Sequence, residues 1–122
     1  MFTATKTAYS NAFLGEDPLT FGFLTLVEDK PVGFYIYCFK FASYLGSKVL
    51  YIGDIYLTKS YRTLQNKKEL LKHAIQQSII DQCVRVEMRV LKSFNLSYDI
   101  IKECGFSQID KWDVFRYEQD DM

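Results

Sequence analysis

The chain has 122 residues, 48% of them hydrophobic and 16% aromatic, which suits one domain with a single strand-rich core. Fifteen basic residues offset fifteen acidic ones, so no net field draws the chain to nucleic acid or to an anionic membrane.

Residues 1–19 are weakly patterned. Ser10 to Leu14 can close a short helix, and Gly15-Glu16-Asp17-Pro18 reads as a turn. Phe21 to Val27 is an apolar, aromatic strand, followed by a tight connection at Glu28-Asp29-Lys30-Pro31. Val32 to Phe41 is a second strand. Phe34, Ile36 and Cys38 face one way, and Tyr35, Tyr37 and Phe39 the other; bulky residues on both sides imply that both faces are covered. After a loop from Ala42 to Ser47, Val49 to Leu57 is almost continuously apolar and should be central. Gly53-Asp54 interrupts it, and a glycine inside a strand marks a bulge or a close backbone approach.

Glu69 to Cys83 has the clearest helical period, with Leu70, Leu71, Ala74, Ile75, Ser78 and Ile79 on one face and Lys68, Lys72, Gln76 and Gln77 mostly outside. His73 lies between apolar helix positions with no metal-ligand spacing around it, so it reads as a surface or boundary residue. Val84, Val86, Met88 and Val90 alternate with Arg85, Glu87 and Arg89, a strand with one polar face. Asn95 or Ser97 can cap a short helix through Cys104 that Gly105 ends. Ser107 to Tyr117 reads as a last strand, ahead of an acidic tail over residues 118–122. The order is β-β-β-α-β-α-β, a single mixed α/β (α+β) domain. A right-handed crossover sets the strand after the long helix parallel to Val49–Leu57.

Cys38, Cys83 and Cys104 are an odd number without metal-ligand spacing and read as reduced thiols, implying a cytoplasmic protein and no metal. Met1-Phe2-Thr3-Ala4-Thr5-Lys6 lacks the apolar run of a signal peptide, and no apolar stretch is long enough to span a bilayer.

Chemistry concentrates where the third strand enters the long helix, at Tyr61-Arg62-Thr63-Leu64-Gln65-Asn66-Lys67-Lys68. A strand-to-helix turn aims unpaired N–H groups and the positive helix end at one point, which suits a phosphate. Such turns usually carry glycines, and this one has none. A solvated basic helix face is the plainer account of Arg62, Lys67, Lys68 and Lys72.

The element order, together with Gly33-Phe34-Tyr35-Ile36-Tyr37, Leu50 to Arg62 and Lys102-Glu103-Cys104-Gly105-Phe106, resembles the GNAT superfamily of acetyl-CoA-dependent N-acetyltransferases, most nearly the diamine (spermidine/spermine) acetyltransferases. The resemblance covers residues 12 to 118. It implies a mixed, mostly antiparallel sheet lacking the family's first strand and most of its first two helices. It also implies a site for acetyl-CoA or coenzyme A on the strand backbone at Ile55, Tyr56 and Leu57, on the turn at Arg62, Thr63, Gln65, Lys67 and Lys68, and on Asn95. Arg62 matches the family's turn, but Thr63, Gln65 and Lys67 stand where glycines are expected.

The resemblance places a carboxylate base at Gly53, leaving Asp54 as the candidate substitute, or else as a carboxylate that satisfies backbone groups at a bulge. It places a tyrosine acid at Ile101, leaving Tyr98, one turn earlier, as the substitute or as a packing residue. It places an asparagine at Phe94, next to Asn95, whose other reading is a helix cap. These departures imply a binding or assembly module with weak or lost catalysis. The alternatives are a working acyl-CoA-dependent N-acetyltransferase for a small amine or polyamine, and a decayed product with no activity. A bare edge at Phe21–Val27 and an uncovered sheet face imply a homodimer.

Overall fold

A computed structural model describes residues 14, 18–90 and 98–119. Four strands, β1 (Phe21–Val27), β2 (Lys30–Ala42), β3 (Ser47–Leu57) and β4 (Arg85–Met88), form one sheet in that order. β1, β2 and β3 are antiparallel neighbours and β4 runs parallel to β3, so the sheet is mixed as expected. Helix α1 (Leu64–Ile80) joins β3 to β4, and a short helix α2 (Tyr98–Glu103) follows.

Local chemistry accounts for the junctions. Glu28 and Asp29 both adopt positive φ (50° and 64°) between the paired ends Val27 and Lys30, the geometry of a two-residue hairpin turn. At the end of α1 the Cys83 N–H reaches the Ser78 carbonyl at 2.8 Å and the Gln82 N–H reaches Ile79 at 3.1 Å. That is a Schellman ending, with Gln82 at φ 59° where glycine is usual. α2 ends the same way, with Gly105 at φ 97° and the Phe106 N–H on the Ile101 carbonyl.

The core forms where α1 lies on the sheet. Leu70 and Ala74 pack against Tyr35, Tyr37, Leu50, Ile52 and Leu57, with Phe23, Phe39, Ile55, Val86 and Met88 around them. Tyr35 is 1% exposed. Its hydroxyl lies 2.7 Å from His73 Nδ1, and the edge of the His73 ring meets Phe23. His73 is thus an exposed boundary residue that gives a buried hydroxyl its partner, as a core tyrosine requires. On the other face, Phe34, Ile36 and Cys38 are half-buried while Leu24 and Leu26 are exposed.

Four expectations are corrected. α1 begins at Leu64 rather than Glu69, because Thr63 caps it. It ends at Ile80 rather than Cys83, because the chain turns left-handed at Gln82. Ile79, assigned to the apolar face, is exposed. The last strand, Ser107 to Tyr117, does not form among the described residues: the segment has strand-like alternation but pairs with no strand of the sheet, and every residue in it is exposed. The expectations for Ser10–Leu14, Gly15–Pro18, Phe94, Asn95, Ser97 and the end of the acidic tail rest wholly or partly on positions outside the described residues.

Candidate functional site

β3 and β4 run side by side for only part of their length. Their register joins Val49 to Arg85, Leu50 to Val86, Tyr51 to Glu87 and Ile52 to Met88. β3 then continues from Gly53 to Leu57 with no strand on that side among the described residues. Such an opening exposes strand backbone that an extended, amide-bearing ligand can pair with.

The β2–β3 register slips at the same level. Ile36 pairs with Asp54 and Tyr37 with Ile52, so Gly53 is the extra residue of a bulge. Neither strain nor crowding requires glycine there: its φ is not positive, and a Cβ would meet only the Ile36 carbonyl oxygen, at 3.9 Å. Asp54, beside it, is exposed. Tyr98 opens α2 and is also exposed, and no hydrogen bond or ring contact joins it to Asp54 among the described residues. Ile101 is half-buried.

Below the opening the chain makes a short 3-10 turn, Lys59–Tyr61, then passes through Arg62 and Thr63 into α1. Thr63 is extended (φ −89°, ψ 161°), and its Oγ1 accepts the Asn66 N–H at 3.1 Å. Gln65, Lys67 and Lys68 therefore lie inside the helix. None of Thr63, Gln65 and Lys67 has positive φ, so the missing glycines leave no backbone strain.

Side chains brace the turn instead. Arg62 Nε donates to the Leu57 carbonyl at 2.7 Å, and the guanidinium carbon lies 5.4 Å from the centroid of the Tyr56 ring. Tyr56 in turn stacks on Phe34. Asn66 Nδ2 donates to the Tyr61 carbonyl at 2.8 Å. Asn66 is the residue that sequence reasoning passes over; an amide three positions after a threonine cap is the available signal.

The turn keeps a positive bias. The first turn of α1 holds no acidic residue, and the N–H groups of Leu64 and Gln65 have no intrahelical acceptor. Lys67 is half-buried there. Lys68 is paired with Glu103 of α2 at 2.6 Å. That hydrogen bond and the carboxylate's charge raise the Lys68 pKa above the ordinary lysine value. Lys68 thus ties α1 to α2, and its charge is largely answered. Of the expected cofactor-binding positions, the structure brings Ile55, Tyr56, Leu57, Arg62, Thr63, Gln65, Lys67 and Lys68 to one strand end and one helix start. Among the described residues no cluster of three metal-ligating side chains occurs, and no helix is long and apolar enough to cross a membrane.

Comparison with known proteins gives the same frame. The chain is 31% identical over 118 residues to the human spermidine/spermine N(1)-acetyltransferase-like protein 1, an alignment covering 88% of this chain and 17% of that protein. Among solved structures, an integron cassette protein from the mobile metagenome of V. cholerae superposes with a TM-score of 0.77 at 22% identity, covering 96% of this chain and 75% of the other. An aminoglycoside N-acetyltransferase in complex with CoA superposes with a TM-score of 0.71 at 14% identity, covering 93% and 87%. At those identities the superpositions speak for the fold alone. The model of the acetyltransferase (GNAT) family matches residues 2–106, and the chain belongs to that family.

Proposed function

We propose that the chain binds coenzyme A or acetyl-CoA at the opening beside β3 and the start of α1, with acetyl transfer weak or lost, and works as a binding module. One observation carries this reading: the turn is built without strain, while Gly53 leaves the bulge where the family resemblance expects a base without a carboxylate. The residues fit the cofactor's chemistry. An extended pantetheine arm suits the stretch Gly53–Leu57, whose β4 side carries no strand among the described residues, and a pyrophosphate suits the Leu64 and Gln65 N–H groups at the positive end of α1. The three unpaired cysteines fit a reducing cytoplasm.

A second reading, a working N-acetyltransferase, is favoured by the exposed Asp54 carboxylate next to the bulge. In it Asp54 accepts the amine proton through a water, and Tyr98 supplies a proton to the departing sulfur. The similarity to a spermidine/spermine acetyltransferase-like protein makes a polyamine the acceptor to try first.

Thermal shifts with coenzyme A and acetyl-CoA test binding. Ligand at 100 times its Kd adds about 2.7 kcal/mol, several degrees for a domain of this size. No shift at millimolar ligand overturns both readings. Thiol release with spermidine separates them: turnover that Asp54→Asn abolishes establishes the second and overturns the loss of catalysis.

A further inference from the structure

We infer that the end of the sheet opposite the opening, formed by the β2–β3 hairpin and the adjoining end of α1, docks on an anionic lipid surface. The topology gathers this end. β2 finishes and β3 begins at the hairpin, β4 starts beside the start of β3, and α1 finishes just before β4. The Val84 N–H donates to the Lys48 carbonyl at 3.0 Å, which joins the start of β4 to the hairpin. The opening lies at the other end of β3, ten residue steps away, roughly 33 Å along an extended strand. A surface bound here leaves the opening facing solution.

The end is apolar where a loop tip is ordinarily polar. Phe41 is 72% exposed, Ile80 71% and Trp112 62%, and Tyr44, Leu45 and Val84 are exposed beside them. The hairpin does not present them for want of backbone partners. The Leu45 N–H donates to the Ala42 carbonyl at 3.0 Å and the Gly46 N–H to Ser43 at 3.2 Å, a closed turn that carries Tyr44 and Leu45 at its tip. Trp112 leans on Tyr44, with ring centroids 6.3 Å apart, so the later segment brings its indole to the same tip. Exposed apolar residues collected on one projection mark a docking surface.

The polar groups at the rim identify the partner. The balanced charge of the whole chain conceals a local bias: Lys40, Lys48 and Arg85 border the apolar tip and are exposed. Lys40 Nζ lies 3.8 Å from the centroid of the Tyr51 ring and Lys48 Nζ 4.6 Å from that of Phe39, while Arg85 donates to the Tyr44 hydroxyl. Asp81 also lies at this end, half-buried, with Gln77 donating to its carboxylate at 2.9 Å. Asp110 and Asp113 lie either side of Lys111 and Trp112 on the later segment. Tryptophan and tyrosine with an apolar body and a polar tip, bordered by cations on long apolar stems, are the residue types that settle at the boundary between acyl chains and headgroups. Basic residues beside them favour anionic headgroups.

Vesicle flotation of the full chain tests this, with circular dichroism to confirm folding. Trp112 is the chain's single tryptophan and reports on the tip directly. Wild type should float with vesicles of phosphatidylserine and phosphatidylcholine, and its fluorescence should shift to the blue as the indole leaves water. Phe41→Ser and Leu45→Ser should each weaken partitioning by about tenfold, since binding scales with the apolar area inserted. Lys40→Glu combined with Lys48→Glu should do the same, as should ~1 M salt, which shortens the screening length to about 3 Å. Leu24→Ser, at an exposed apolar position on β1, should leave partitioning unchanged. No flotation, or flotation without a fluorescence shift, overturns the proposal. So does equal binding to phosphatidylcholine alone, or binding that both serine variants retain. Self-association that the serine variants abolish, in a chain that ignores vesicles, would assign this end to a second copy and overturn it as well.

Discussion

Arg62 Nε and the Leu57 carbonyl oxygen are 2.7 Å apart, which fastens the residue at the head of the turn to the end of β3. An arginine in this place is readily read as a phosphate ligand. Its geometry makes it first a brace, holding the start of α1 beside the opening between β3 and β4.

Arg62→Ala should therefore lower stability by about 1.5–3 kcal/mol, the range for a hydrogen bond from a charged group. It should also weaken coenzyme A binding by displacing the helix start. Arg62→Lys should rescue little, since a flexible ammonium cannot reproduce both the Nε bond and the stacking on Tyr56. Urea midpoints and coenzyme A thermal shifts on both variants check this. A lysine variant with wild-type stability and reduced binding would instead assign Arg62 a direct ligand role.

Gly33 in β2 and Gly53 in β3 should respond in opposite ways. A Cβ at Gly33 would stand 2.6 Å from both Leu57 Cδ2 and the Tyr56 carbonyl oxygen. Gly33→Ala should then cost roughly 1–3 kcal/mol, as overpacking does. Gly53 has room, so Gly53→Ala should stay within about 0.5 kcal/mol of wild type, as surface changes do. Gly53→Glu returns a carboxylate to the bulge, and if the cofactor binds, it should raise amine-dependent thiol release above wild type. An unchanged rate in a variant that still shifts with acetyl-CoA would show that the base is not what limits turnover.

Much of this framework is legible in the sequence. The first four strands are visible because alternation and β-branched or aromatic runs report burial directly, and the bulge is visible because Gly53 breaks such a run. The start of α1 is hidden. Thr63 is an ordinary cap, but Lys67 and Lys68 sit where helix dipoles favour acidic residues, so the first turn looks like loop. The helix end is hidden because Gln82 takes a glycine's conformation. The bracing by Arg62 and Asn66 depends on where the chain returns in space, which spacing does not encode. The segment from Ser107 to Tyr117 shows the limit of alternation: it reports strand propensity and cannot supply the partner a strand needs.

Alkaline pH should weaken the fold. Burial raises the pKa of Tyr35, Tyr37 and Tyr51 above the ordinary 10.0. A group whose folded pKa is raised contributes stability that is complete below its unfolded pKa and is lost as pH rises through the folded value. Tm should therefore hold to about pH 10 and fall above it as the unfolded tyrosines ionise first. Tyr35→Phe should flatten that decline while lowering stability at pH 7 through loss of the contact with His73. A decline of equal slope in the variant would remove Tyr35 as its source.

Glycine is absent both where the family uses it and where this backbone calls for it, and the two absences have opposite consequences. At Gln82 the chain holds φ 59°, so Gln82→Gly should raise stability by up to about 1 kcal/mol by relieving a left-handed conformation. Gln65 and Lys67 are helical, so Gln65→Gly and Lys67→Gly should each lower stability by up to about 1 kcal/mol. The same two substitutions clear β-carbons from the approach to the Leu64 and Gln65 N–H groups. If those β-carbons obstruct the pyrophosphate, coenzyme A should bind the less stable variants more tightly, and isothermal titration beside urea melts would register affinity and stability moving apart. Affinity falling with stability would instead show that the helix start is already well shaped for its ligand and that order in the turn matters more than room.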